Sequence, residues 1–306
     1  MRARDTLRLW LPLVFLLAAC SGGATASATP GGGTPAPTAE PGSPAPSPSA
    51  ATSAALLLRV TTEGGFIGPA ANLAALPQVS VYADGRILMP GAVDAIYPGP
   101  LLIPVQVRDV GPAGAQAIVT AIRAAGLDKP RADTGGGIPA DTGTTVFQVQ
   151  VDATAVTTRL VLGGGLPGHP GGGDASPDPE VAAAADLLTK LNDSNETWGA
   201  ASAPTTTLQP TAFRIYVAPG APPSDPSTAQ APVVWPLSTP LASFGVPATP
   251  DRGIAGLRQG AVLGADAQTL LPILNQATVL TPFSSGGHLY TLYVRLLLPD
   301  EVPAQG

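Results

Sequence analysis

Gly111-Pro112-Ala113-Gly114-Ala115-Gln116-Ala117-Ile118-Val119-Thr120-Ala121-Ile122-Arg123-Ala124-Ala125-Gly126-Leu127 decides the fold class. Proline in the first turn of a helix lacks an N–H that would have had no partner there. Ala115, Ile118, Val119, Ile122 and Ala125 recur at three- and four-residue spacing and so share one face. Gly126 stands where helices end in the left-handed region, and Leu127 can pack back on the last turn. Strands on both sides supply the surface this face covers. Leu101 to Val110 precedes it, with Pro104 confining that strand to an edge. Thr144 to Asp152 and Ala155 to Leu162 follow as a hairpin, with Phe147, Val149 and Val151 on one face.

The same order returns later in the chain. A shift of 152 positions lays Val110, Ala115, Gln116 and Ala125 on Val262, Ala267, Gln268 and Ala277, and lays Ile118 and Ile122 on Leu270 and Leu274. With a shorter loop, Phe147, Val149 and Val151 fall on Tyr290, Leu292 and Val294. This is the pattern of an internal repeat.

The remaining segments fit around these two. Ala54 to Thr61 alternates as a strand. Asp84-Gly85, between Gln78–Ala83 and Arg86–Met89, signals a hairpin with a type I′ turn, which needs positive φ at both positions. Gly163 to Asp174 is a glycine-rich loop, followed by a helix over Pro177–Leu191 that Ser176 or Asp178 can cap. Ala212 to Ala218 is a strand with Phe213, Ile215 and Val217 inward. Ala221 to Pro250 is proline-rich coil around Trp235 and Phe244. A helix over Ala265–Ala277 and a strand over His288–Leu298 close the chain. The expected fold is α+β: antiparallel sheets with helices packed on one face, in two related strand-helix-strand units. The first spans 54–175, and the second spans 176–306 and packs with it.

Composition excludes one class of partner. Charged residues make up 12 % of the 306, the formal net charge is −6, and lysine occurs only at Lys129 and Lys190. An acidic chain without a basic cluster is repelled by nucleic acid.

The N-terminus fixes an expected address. Arg2, Arg4 and Arg8 precede an apolar run from Leu9 to Ala19, and Ala18-Ala19 precede Cys20, the single cysteine. This is the layout of a secretory signal peptide over residues 1–19. The run from Leu7 would rise only ~20 Å as a helix, short of the ~30 Å hydrocarbon core. Leu17-Ala18-Ala19-Cys20 resembles the lipobox of bacterial lipoproteins. The resemblance implies lipidation of Cys20 with a diacylglycerol, cleavage before it, and a membrane anchor on the extracytoplasmic face of the cell envelope. Residues 20–53 then form a disordered Pro/Gly/Ser/Thr-rich tether. At ~3.1 Å per residue it reaches up to ~100 Å. Val81-Tyr82-x-Asp84-Gly85-Arg86, Ala125-Gly126-Leu127 and Asp141-x-x-Thr144-Thr145-Val146-Phe147 look like an uncharacterised family of secreted lipoproteins from high-GC bacteria. That resemblance covers Leu56 to Glu301 and implies a class without an activity.

Motifs that carry chemistry are weak. Asp133-Thr134-Gly135 and Asp141-Thr142-Gly143 repeat the aspartic-protease triplet, but eight residues apart rather than on separate lobes. Gly163, Gly165 and Gly168 satisfy G-x-G-x-x-G without a helix opening at once, as a dinucleotide site needs. His169 has Asp174, Asp178 and Glu180 near it in sequence; a hard-cation site would need several converging oxygens, and acids at a helix start are expected anyway because they complement its dipole. His288 follows Ser284 and Ser285 without an orienting acid or a G-x-S-x-G elbow. Trp198, Trp235, Phe244, Phe283 and Tyr290 are candidate ligand-facing aromatics, with the core as the plainer place for them. No cofactor, metal or catalytic residue is expected. The expectation is a non-catalytic binding or interaction module taking a cell-envelope protein or a small ligand. The alternative is a cell-wall-associated hydrolase.

Overall fold

The protein was analysed as a computed structural model that describes residues 55–64, 68, 72–131, 143–162, 178–249 and 253–302. All of them lie within the compact unit Ser49–Gly306. The elements run β1 (Leu56–Glu63), β2 (Val79–Tyr82), β3 (Arg86–Pro90), β4 (Val105–Asp109), α1 (Gly111–Ala124), β5 (Thr144–Val151), β6 (Thr154–Leu160), α2 (Pro179–Asn192), β7 (Thr205–Thr207) and β8 (Ala212–Pro219). They continue with β9 (Val233–Val234), β10 (Val246–Pro247), β11 (Arg258–Leu263), α3 (Gly264–Gln276), β12 (Phe283–Ser285) and β13 (His288–Leu296). The fold is α+β, as expected.

Two sheets carry it. Their orders are β6-β5-β1-β2-β3-β4-β7 and β10-β11-β8-β13-β12-β9. Every pairing is antiparallel except β9 with β12. Side chains alternate between the faces of a strand, and here the alternation builds two cores. Leu58, Val60, Val79, Val81, Ile87, Phe147 and Val149 face α1 and α2. Tyr82, Leu88, Val105 and Val107 point the other way, into a core shared with Phe213, Ile215, Val217, Leu292 and Val294 of the second sheet and with α3. The first sheet is therefore covered on both faces.

The 152-residue correspondence holds at the level of burial. Ala115, Ile118 and Ile122 on α1 and Ala267, Leu270 and Leu274 on α3 are buried at matching positions, while Gly114 and Val119 widen the buried face of α1 where Asp266 and Leu271 are not buried. Each helix opens on a glycine at positive φ, Gly111 at 66° and Gly264 at 57°. The two faces enter different cores.

Local signals that depend on neighbours in sequence were legible. Gly126 has φ 67°. Its N–H donates to Arg123 O at 3.0 Å and Leu127 N–H to Ile122 O at 3.1 Å, the paired bonds of a glycine-terminated helix. Asp178 caps α2 by accepting from Glu180 N–H. The Asp84-Gly85 hairpin forms, but its turn differs from expectation. Only Gly85 has positive φ, at 94°, and Gly85 N–H donates to Tyr82 O at 3.0 Å. A three-residue loop with one left-handed residue suffices, because Asp84 Oδ1 accepts from Arg86 N–H and rigidifies the turn. The two-residue turn with both φ positive occurs instead at Asp152-Ala153.

The expected boundary at 175/176 is not where the chain changes sheets. α2 packs on the first sheet, and β7 pairs with β4 at its edge, Val107 opposite Thr206. The passage to the second sheet comes after Thr207. The expected strand over Leu101–Val110 starts only at Val105, because residues 100–104 form a strap that bridges to Thr278 through Pro100.

Candidate functional site

The sequence candidates do not assemble into a reactive centre among the described residues. Cys20, His169, Asp174, the glycine motif from Gly163 and both Asp-Thr pairs, Asp133-Thr134 and Asp141-Thr142, lie outside those residues. Asp178 and Glu180 are held by one cation: Arg131 reaches them at 2.7 and 2.8 Å. The Asp178 carboxyl sits below its usual range, first because it accepts from Glu180 N–H and then through Arg131.

His288 is exposed at the start of β13 and pairs with Ser285 across the Gly286-Gly287 turn. The Ser285 hydroxyl accepts from Leu241 N–H at 3.1 Å. That contact ties it to the short helical turn at 241–243 rather than to the imidazole. The described residues contain no group of three or more His, Cys, Asp or Glu able to hold a metal ion.

The candidate aromatics are core. Trp235 packs edge-on against Phe244 and Phe283, with centroids 6.0 and 6.4 Å apart, and its indole donates to Thr239 O. Tyr290 is buried in the same cluster. Trp198 is half-buried beside the α1–α2 core.

One polar cluster joins the sheets. Arg59 on β1 meets Asp300 at 2.8 and 3.0 Å, and the Tyr82 hydroxyl donates to Asp300 at 2.7 Å. Next to it, Arg295 binds Glu301 through both Nη atoms at 2.6 and 3.0 Å, and Leu298 N–H donates to the same carboxylate. Every one of these carboxylate oxygens is met by a donor from the fold itself. The geometry is that of a clamp holding the turn after β13 against β1 and β2. Burial first, then Asp300, pushes the Tyr82 phenol far up. Burial disfavours the Glu301 anion, but Arg295, Leu298 N–H and Arg59 together outweigh it and hold the carboxyl low.

The concave surface lies elsewhere. An apolar pocket of about 500 Å³ opens beside the strap, lined by Leu76, Leu101, Ile103, Val279, Leu292 and Tyr293 among others. Among the described residues, no charged side chain lines it. A second hollow of about 370 Å³ lies on the other side of the strap, where Asp94, Asn275, Gln276 and Thr278 join Val93 and Ile96. The loop before the strap exposes large apolar side chains: Val93, Ile96 at 65 % and Tyr97 at 73 %.

No family model, curated protein or solved structure matches this chain. The site therefore has to be read from its own geometry. Sequence reasoning missed it because it looked for reactive side chains. The available signal was Val93, Ile96, Tyr97 and Leu101–Ile103 set among Gly91, Pro98, Gly99, Pro100 and Pro104. Apolar residues in a turn-rich stretch have no periodic partner to bury them.

Proposed function

We propose that this chain is a lipid-anchored extracytoplasmic protein, tethered to the cell membrane through Cys20, whose folded part binds and does not catalyse. The observation that supports the binding half is the apolar pocket of about 500 Å³ beside the strap. Its size falls within the ~300–1,000 Å³ typical of small-molecule sites, and apolar lining is typical of them too. The test uses a neutral apolar fluorophore, N-phenyl-1-naphthylamine, titrated into the full-length chain carrying Cys20→Ser and purified without detergent. Saturable binding that Ile103→Trp and Ala74→Phe both weaken is the expected result, since each side chain fills the pocket. Binding indifferent to both substitutions defeats the proposal. The anchor is tested separately, by mass spectrometry of the wild-type protein from its host: a cleaved, diacylated Cys20 is expected, and an intact Met1 with a free thiol rules it out.

A further inference from the structure

Two chemically different hollows adjoin the strap, one on each of its faces. Leu101 and Ile103 line the apolar pocket, whereas Leu102 and Pro104 line the second hollow. Pro100 lines both. Across the bridge the same alternation holds, with Val279 on the apolar side and Thr278 on the other. The two hollows therefore share Pro100 as a common wall.

Their linings differ in what they can solvate. The apolar pocket offers hydrocarbon and the Tyr293 ring, which dehydrate an alkyl tail at no polar cost. The second hollow presents Asn275, Gln276 and Asp94, exposed side chains without a hydrogen bond or ion pair among the described residues. Asp94 is the one charged side chain among the described residues that line either hollow. It repels an anion and attracts a cation.

We infer that the ligand is a single-chain amphiphile lying across Pro100, its apolar tail in the larger pocket and a neutral or cationic head among Asp94, Asn275 and Gln276. This rests on the reading of the apolar pocket as a ligand site. An anionic head is disfavoured at the same place. Because Asp94 is exposed, the discrimination is modest and salt-dependent: one exposed charge pair is worth about three- to fivefold.

The experiment displaces N-phenyl-1-naphthylamine from the full-length Cys20→Ser chain with dodecylamine, dodecanol and dodecanoate, each below its aggregation threshold at low salt. Dodecanol should displace the probe at a concentration about three- to fivefold lower than dodecanoate, and dodecylamine at one lower again by about the same factor. Asp94→Asn should close both gaps, and so should about 0.5 M salt. Equal potency of the three competitors, or a gap that survives Asp94→Asn, overturns the inference while leaving the apolar pocket a ligand site. Failure of the probe to bind, or binding that Ile103→Trp and Ala74→Phe leave intact, overturns both.

Discussion

Arg108 on β4 donates from Nη2 to the carbonyl of Leu191 at 2.7 Å, at the C-terminal end of α2. Its Nη1 donates to Asp193 O, just past the helix. The last carbonyls of a helix have no partner within it and carry the negative end of its dipole. A cation from the sheet meets that need, and Arg108 is 0 % exposed. Burial draws its pKa down, and Asp193 and Glu196 offset part of that. This contact, with the apolar face of α2, is why the helix belongs to the first sheet.

Arg108→Ala should therefore destabilise the protein by about 3 kcal/mol, since it strips buried packing and leaves two carbonyls unsatisfied. Arg108→Lys should cost about half as much, because an ammonium lacks the planar fork that reaches both carbonyls. Urea unfolding of both variants checks the order; equal midpoints would contradict it.

Gly85 and Gly220 separate strain from space. Their φ angles are nearly equal, 94° and 91°. A Cβ on Gly85 would lie 2.2 Å from Gly111 O, whereas nothing stands within 4 Å of one on Gly220. Gly220→Ala should cost about 1–2 kcal/mol, the left-handed penalty alone. Gly85→Ala should cost clearly more, because the turn must leave the start of α1, where Gly85 O accepts from Val110 N–H. Thermal unfolding of the pair measures the difference.

Ala153 sits at φ 60° in a two-residue turn after Asp152 at 52°. Asp-Gly is the preferred pair for such a turn. Ala153→Gly should raise stability by about 0.5–1 kcal/mol, since the relief of the left-handed penalty outweighs the greater freedom of the unfolded chain. A lower melting temperature would refute this.

The clamp after β13 should make stability fall at both ends of the pH scale. The Glu301 carboxyl is lower in the folded state than in the unfolded chain. Its contribution is present above the unfolded value of ~4.3 and is lost as pH falls through the folded value. Glu301→Gln should be less stable at neutral pH and should flatten the acid limb. Tyr82 is raised by burial and by Asp300. Its contribution is complete below the unfolded value of ~10 and declines as pH climbs above it. Tyr82→Phe should flatten the alkaline limb alone. Urea midpoints across pH check both, and parallel profiles for wild type and variants would rule the assignment out.

Much of the architecture could be read from spacing. The face of α1, the Gly126 cap, the hairpin at Asp84-Gly85, the hairpin that follows α1 (its turn one residue earlier than the pattern suggests, at Asp152-Ala153), and the inward residues of β8 depend on contacts a few positions away. The apolar pocket could not be read this way. Leu76, Leu101, Val279 and Leu292 line one pocket, yet they come from distant parts of the chain, and apolar residues alone do not announce a site. Trp235, Phe244, Phe283 and Tyr290 stood out as aromatics and proved to be core.

The sequence by itself determined the longer elements, their buried faces and the acidic, weakly charged character of the chain, because periodicity and turn chemistry act over a few residues; the two- and three-residue strands β7, β9, β10 and β12 lie in stretches that read as coil or carried no pattern. Tertiary structure alone decided that α2 and β7 join the first sheet, that Arg108 is buried against a helix end, and that the strap parts two hollows. Those outcomes depend on which surfaces meet across tens to hundreds of residues. No local pattern encodes that choice, and the burial of apolar area over the whole chain makes it.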